Sequence, residues 1–183
     1  MKRTTMIAAL VSVALLFGGC SRLAKEGIGV ASGAKGVYAE IQAPSRPLGM
    51  YHNIQPGQIE DSFGGRTPPG LLSALPGKIT EQLHNEGLPT GTSGKTLVIT
   101  GKVIYYEAAG ITGEVFGPFE EAVAEIQLVD KDTGRVVSVA NCVGRSTTSL
   151  NRGVDKKAEG LAKGIVKWIS KHYPEAGRVR PQD

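Results

Sequence analysis

The chain has 183 residues, with 21 Lys and Arg against 17 Asp and Glu, a formal charge of +4. Two of the cations, Lys2 and Arg3, fall in the first segment; without residues 1–19, 164 residues remain with 19 basic and 17 acidic side chains, net +2, too even a balance for a nucleic-acid-binding surface. That length suits one domain with a tether, and the 25 glycines with few aromatics predict a loop-rich chain around one core.

The first element is an export signal. Lys2 and Arg3 form a positive start, and the run Met6–Phe17 is apolar except for Ser12. Such a run is long enough for a signal segment, which needs about 7–15 residues, and too short for the ~20 that span a bilayer. Gly18 and Gly19 then lead into Cys20. The ending Leu16-Phe17-Gly18-Gly19-Cys20 resembles the lipobox of bacterial lipoproteins, although Phe17 stands where that family usually has an aliphatic residue. The resemblance implies cleavage after residue 19 and a diacylglyceryl group on the Cys20 thiol. Stable anchoring takes more than one acyl chain, and a diacylglyceryl group meets that demand. In Gram-negative members an Asp after the cysteine favours the inner membrane. Ser21 therefore implies the outer membrane, with the chain on its periplasmic face.

Residues 20–36 are small, Gly-rich and aperiodic, and predict a lipid-anchored flexible tether. Gly27, Gly29 and Gly33 have the wrong spacing for a dinucleotide loop, and no strand precedes them. The single domain is expected over 37–176, with a frayed tail at 177–183.

Within that domain Val37–Ile41 alternates as a strand, and Met50–Ile59 is a second candidate interrupted by Pro56 and Gly57. Residues 61–69 are a loop. Leu71, Leu72, Leu75, Ile79 and Leu83 recur at helical steps, which predicts a helix over 70–86. Pro76 either kinks this helix or marks its first turn, and Gly87 stops it. The loop 87–95 ends in Gly94-Lys95-Thr96, a P-loop fragment. It lacks the preceding glycine, which is Pro89 here, and it opens a strand rather than a helix.

Residues 96–108 alternate as a strand, with Gly101 a bulge or close-packing point. Residues 109–118 form a Gly-rich hairpin tip whose apolar Ile111, Val115 and Phe116 are candidate partner contacts; the alternative is a loop folded onto the core. A strand over 121–129, the turn Asp130–Gly134 and a strand over 135–144 complete an antiparallel meander. Residues 147–154 are polar. Residues 155–172 form an amphipathic helix with the stripe Ala158, Leu161, Ala162, Ile165, Trp168 and Ile169 and lysines at 156, 163, 167 and 171 on other faces. Pro174 ends it.

This order predicts an α+β two-layer sandwich, an antiparallel sheet with two helices packed on one face. Together with the Asp-x-x-Thr-Gly-x-Val-Val pattern at Asp130–Val137, it resembles small uncharacterised bacterial lipoproteins whose α/β domain is similar to the N-terminal domains of periplasmic assembly proteins. The likeness spans about residues 45–172 and brings no catalytic residues with it.

The residues themselves point to little chemistry. His52, His84 and His172 are scattered, without metal-ligand spacing. Glu120 and Glu121 are neighbours on a strand and face opposite ways. No nucleophile elbow is present. With Cys20 acylated, Cys142 is left without a disulfide partner and reads as a small buried hydrophobe. The expectation is a non-enzymatic accessory or assembly protein without cofactor or metal, held to the membrane by its lipid and meeting an envelope protein partner. The alternative is a module binding a small ligand or an envelope polymer, which predicts a concave apolar pocket.

Overall fold

The computed structural model describes residues 34–107, 120–146 and 153–174. Its first strand, β1 (Lys35–Gln42), pairs antiparallel with the last, and Lys35 and Gly36 sit in register with Arg145 and Gly144. These two residues were expected in the tether of residues 20–36. Gly36 is small for a packing reason, because a helix backbone lies directly against it. A 3-10 turn at Leu48–Met50 then drops Leu48 and Tyr51 into the core.

The second strand, β2 (Asn53–Asp61), runs through Pro56 and Gly57 without ending there. It lies at an edge of the sheet, where a missing N–H is tolerated. A register shift between Pro56 and Ile59 absorbs the irregularity. The first helix, α1 (Pro69–Asn85), starts on Pro69, whose fixed φ suits a first turn. Pro76 lies inside it, where its missing N–H deprives the Leu72 carbonyl of a helical partner. Leu71, Leu75, Ile79 and Leu83 are buried at four-residue spacing; each contributes about 1.5–3 kcal/mol on full burial. Gly87, at φ 63°, turns the chain out of the helix while Leu88 N–H donates to the Leu83 carbonyl.

The remaining elements are β3 (Thr96–Glu107), β4 (Glu120–Asp130), β5 (Val136–Ser146) and the second helix, α2 (Val154–His172). Strand order across the sheet is β1-β5-β4-β3-β2. The strands β3, β4 and β5 form the expected antiparallel meander. The α+β sandwich with both helices on one face is what the structure shows, with one correction: the sheet is mixed, because β2 and β3 pair in parallel. Helix α1 is the crossover between them, and such a crossover returns the chain in its original direction.

The core lies between the helices and one face of the sheet. Ala122, Ala124, Ile126 and Leu128 of β4 point into it, as do Leu161, Ile165, Trp168 and Ile169 of α2, all with no exposed surface. Small residues on β4 and β5 let α2 settle close. A Cβ on Gly144 would lie 2.5 Å from the Leu161 nitrogen, and one on Gly160 would lie 3.0 Å from the Gly144 Cα. Gly101 is likewise a close-packing point, since a Cβ there would meet the Glu125 carbonyl oxygen at 2.3 Å.

Candidate functional site

Strand alternation puts Asp130 on the same inward face as Leu128 and Ile126, and its side chain is fully enclosed. An enclosed carboxylate needs partners, and three parts of the chain supply them. The Tyr51 hydroxyl donates to Asp130 Oδ2 at 2.9 Å. Arg46 Nη1 and Lys95 Nζ approach the same oxygen at 3.3 Å each. The backbone N–H groups of Asp132 and Thr133 donate to Oδ1 at 3.1 Å. Burial opposes the charge, but the Tyr51 hydroxyl, the Thr133 amide and Lys95 outweigh it and hold the carboxyl well below the usual range. Burial, then the bond to Asp130, pushes the Tyr51 hydroxyl up to about 12. The Asp-x-x-Thr-Gly pattern thus does more than turn a hairpin. It ties together the β1–β2 connection, the start of β3 and the end of β4. Lys95, the lysine of the P-loop fragment, is engaged in this network.

A second cluster joins α2 to β1. Glu40 accepts from Trp168 Nε1 at 3.3 Å and pairs with His172 Nε2. Burial raises the Glu40 pKa, and the bonds from His172 and Trp168 more than reverse that. Both clusters read as structural, since every polar group in them has a protein partner.

The lysines of α2 are partly neutralised. Lys156 and Lys163 both pair with Glu159, at 2.8 Å and 2.7 Å. The single tryptophan, Trp168, is core, and Cys142 has no exposed surface; burial pushes its thiol up to about 12. Glu121 pairs with Arg145. His52 and His84 line one cleft of about 590 Å³ with Asn85, Leu88, Pro89 and Thr90. His172 lines another of about 450 Å³ with the Pro-rich residues Ala43–Leu48. Among the described residues no three His, Cys, Asp or Glu side chains gather as metal ligands, and no helix is long and apolar enough to cross a membrane. Cys20 and the candidate contacts Ile111, Val115 and Phe116 lie outside the described residues.

The sheet face opposite the helices is the surface that the sequence reading missed. No described helix or strand packs over it; Phe63 of the loop after β2 rests on Tyr105 at one end, ring centroids 5.5 Å apart. Val37, Val123, Val139 and Val143 alternate onto it with Lys102, Glu125 and Arg145, and Val37 is 44% exposed. Asn141 also points this way, and its Oδ1 is the one enclosed side-chain acceptor among the described residues that lacks a donor. A shallow polar cleft of about 340 Å³ crosses this face between Glu60, Lys102 and Glu125. The alternation of Val123, Glu125, Gln127 and Val129 was the available signal, since it gives β4 a second, half-apolar face.

No protein-family model matches the chain, and no curated protein matches its sequence. Solved structures do share its fold. The PelC dodecamer from Paraburkholderia phytofirmans matches at TM-score 0.51 in two crystals, one of them of a point variant. Identity is 15% for the variant and 13% for the other, and each match covers 76% of this chain and 99% of PelC. The likeness is one of fold. A hypothetical protein from Chlamydia trachomatis follows at TM-score 0.44 and 9% identity, covering 67% of this chain and 97% of its own. A minor lipoprotein from Acinetobacter baumannii has TM-score 0.37 and 15% identity, with 62% and 92% covered. These two agreements are too partial to carry an argument.

Proposed function

We propose that the chain is a lipid-anchored accessory or assembly protein of the cell envelope, non-enzymatic, which works through protein–protein contact over the uncovered face of its sheet. The observation that carries this is that face: five strands with helices on one side and no described helix or strand on the other, where, among the described residues, only Phe63 of the loop after β2 rests on Tyr105. Half-apolar sheet faces with interspersed charges suit a contact surface. PelC, which shares the fold, assembles as a dodecamer, so this architecture is compatible with assembly. The lipobox-like ending at Cys20 supports the anchor, and Ser21 supports the periplasmic face of the outer membrane.

A photoreactive side chain at Val143, on the uncovered face, tests the contact in living cells against one at Lys167, on the exposed face of α2. A discrete protein adduct from Val143 and none from Lys167 is expected; adducts from Lys167 alone would overturn the reading. Cys20→Ser is expected to move the chain from the membrane to the soluble fraction.

A second reading has its own observation. The cleft at His52 and His84 falls in the 300–1,000 Å³ range of small-molecule sites, which favours a ligand-binding module. Chemical-shift changes confined to His52 and His84 on screening envelope fragments would support it.

A further inference from the structure

The two edges of the sheet differ. The edge strand β2 carries Pro56, shifts register between Pro56 and Ile59, and is covered at its start, where Asn53 bridges Thr90 and Ile54 N–H donates to the Pro89 carbonyl. These are the devices by which edge strands avoid pairing with other chains. The edge strand β1 shares one of these devices, a register shift between Glu40 and Gln42, but it has no proline, and among the described residues no backbone group outside β5 bonds to Lys35–Gln42. Its N–H and C=O groups on the side away from β5 form an open row.

Only Lys35 and Glu40 of its side chains are charged, and Glu40 is held by Trp168 and His172. Gly36, Tyr38 and Glu40 face α2, so Val37 and Ala39 point to the uncovered face. Ile41 lies at the bulge that leaves it out of the β5 ladder. Val37 is 44% exposed and Ile41 57%, the two most exposed large hydrophobic side chains among the described residues. They sit symmetrically, two residues to either side of Ala39.

We propose that the outer edge of β1 pairs antiparallel with β1 of a second copy of this chain, about a two-fold axis through Ala39. This rests on the contact reading above and adds a second copy of the chain alongside that face, joined at its edge. A two-fold axis perpendicular to the sheet keeps each residue on its own face. Val37 then lies opposite Ile41 of the other copy, twice, so both exposed side chains gain an apolar cross-strand neighbour. Tyr38 comes opposite Glu40 of the other copy. The Lys171 ammonium, 5.9 Å from the Tyr38 ring centroid, is thereby brought toward that carboxylate, which complements charge across the axis. Two five-stranded sheets become one continuous sheet of both copies, with the uncovered face continuous across the join. A common membrane anchor raises the effective concentration of the two edges.

Opposed residues in an antiparallel pair have Cα atoms about 4.5–5.5 Å apart, within the ~4.4–6.8 Å that a disulfide spans. Ala39→Cys in the full chain, oxidised mildly in native membranes, should therefore give a reductant-sensitive dimer of the chain. Gln58→Cys, exposed on the other edge, should give several-fold less. Adding Val37→Lys and Ile41→Lys to Ala39→Cys should abolish the dimer, and Val37→Lys with Ile41→Glu should restore it. All of these positions are exposed, and unchanged Trp168 emission shows that each variant folds. A monomeric Ala39→Cys chain, a disulfide to a different protein, or equal dimer from Gln58→Cys would each overturn the pairing. If the Val143 adduct persists while Ala39→Cys stays monomeric, only the pairing fails; if both fail, the contact reading fails as well.

Discussion

Gly36 of β1 and Gly164 of α2 meet backbone to backbone: a Cβ on Gly36 would sit 2.2 Å from the Gly164 nitrogen, and one on Gly164 would lie 2.7 Å from the Val37 carbonyl oxygen. The groups that a methyl would meet there are main chain and have no rotamer by which to yield. The helix is thus held close to β1 and β5, the first two strands of the sheet order, by absent side chains.

Gly36→Ala and Gly144→Ala should each lower stability by about 1–3 kcal/mol or more, the usual cost of overpacking. Gly77→Ala should act the other way. It lies inside α1 with nothing within 4 Å of an added Cβ, so the substitution should stabilise by about 0.5–1 kcal/mol. Urea midpoints of the three variants check the contrast; equal destabilisation by all three would contradict the close approach.

Asp130→Asn should lower the urea midpoint more than Arg46→Met or Lys95→Met, because it leaves two cations facing each other around a buried amide. The folded pKa of Asp130 is depressed. Its contribution is therefore fully present above the unfolded value of about 3.9 and lost as pH falls below it. The parent chain should weaken as pH falls below about 3.9, and Asp130→Asn should show a flatter acid limb. Urea titrations at stepped pH measure this.

Glu40 follows the same sign. Its folded pKa is lowered, so the support it gives to the end of α2 is present above about pH 4.3 and fades below it. Trp168, which donates to Glu40, is the chain's single tryptophan. Its emission should move on acidification at a pH below 4.3, before global unfolding, and Glu40→Gln should remove that early step. Fluorescence against pH, with far-ultraviolet circular dichroism alongside, separates the two events.

Cys142 should resist thiol reagents in the native state. It is fully enclosed on β5, and burial pushes its thiol up to about 12, so neither access nor thiolate is available. In the Cys20→Ser chain, Ellman's reagent should read no thiol without denaturant and one with it. Prompt native labelling would mean that β5 opens readily.

Much of the domain was legible in the chain itself. The alternation in β3 and β4, the stripe of α2 and the inward position of Cys142 follow from side-chain periods of two and 3.6, which depend only on neighbouring residues. The enclosure of Asp130 was implicit in the same alternation, which counts it onto the face of Leu128. What tertiary structure alone decided were matters of distance along the chain. That β2 lies parallel to β3, that Arg46 and Lys95 converge on Asp130, and that Gly36 belongs to a strand rather than a tether all depend on contacts between residues 35 to 128 positions apart. Local periodicity carries no record of such pairings, because a glycine that frees a linker and a glycine that admits a helix backbone are the same residue until the two segments meet.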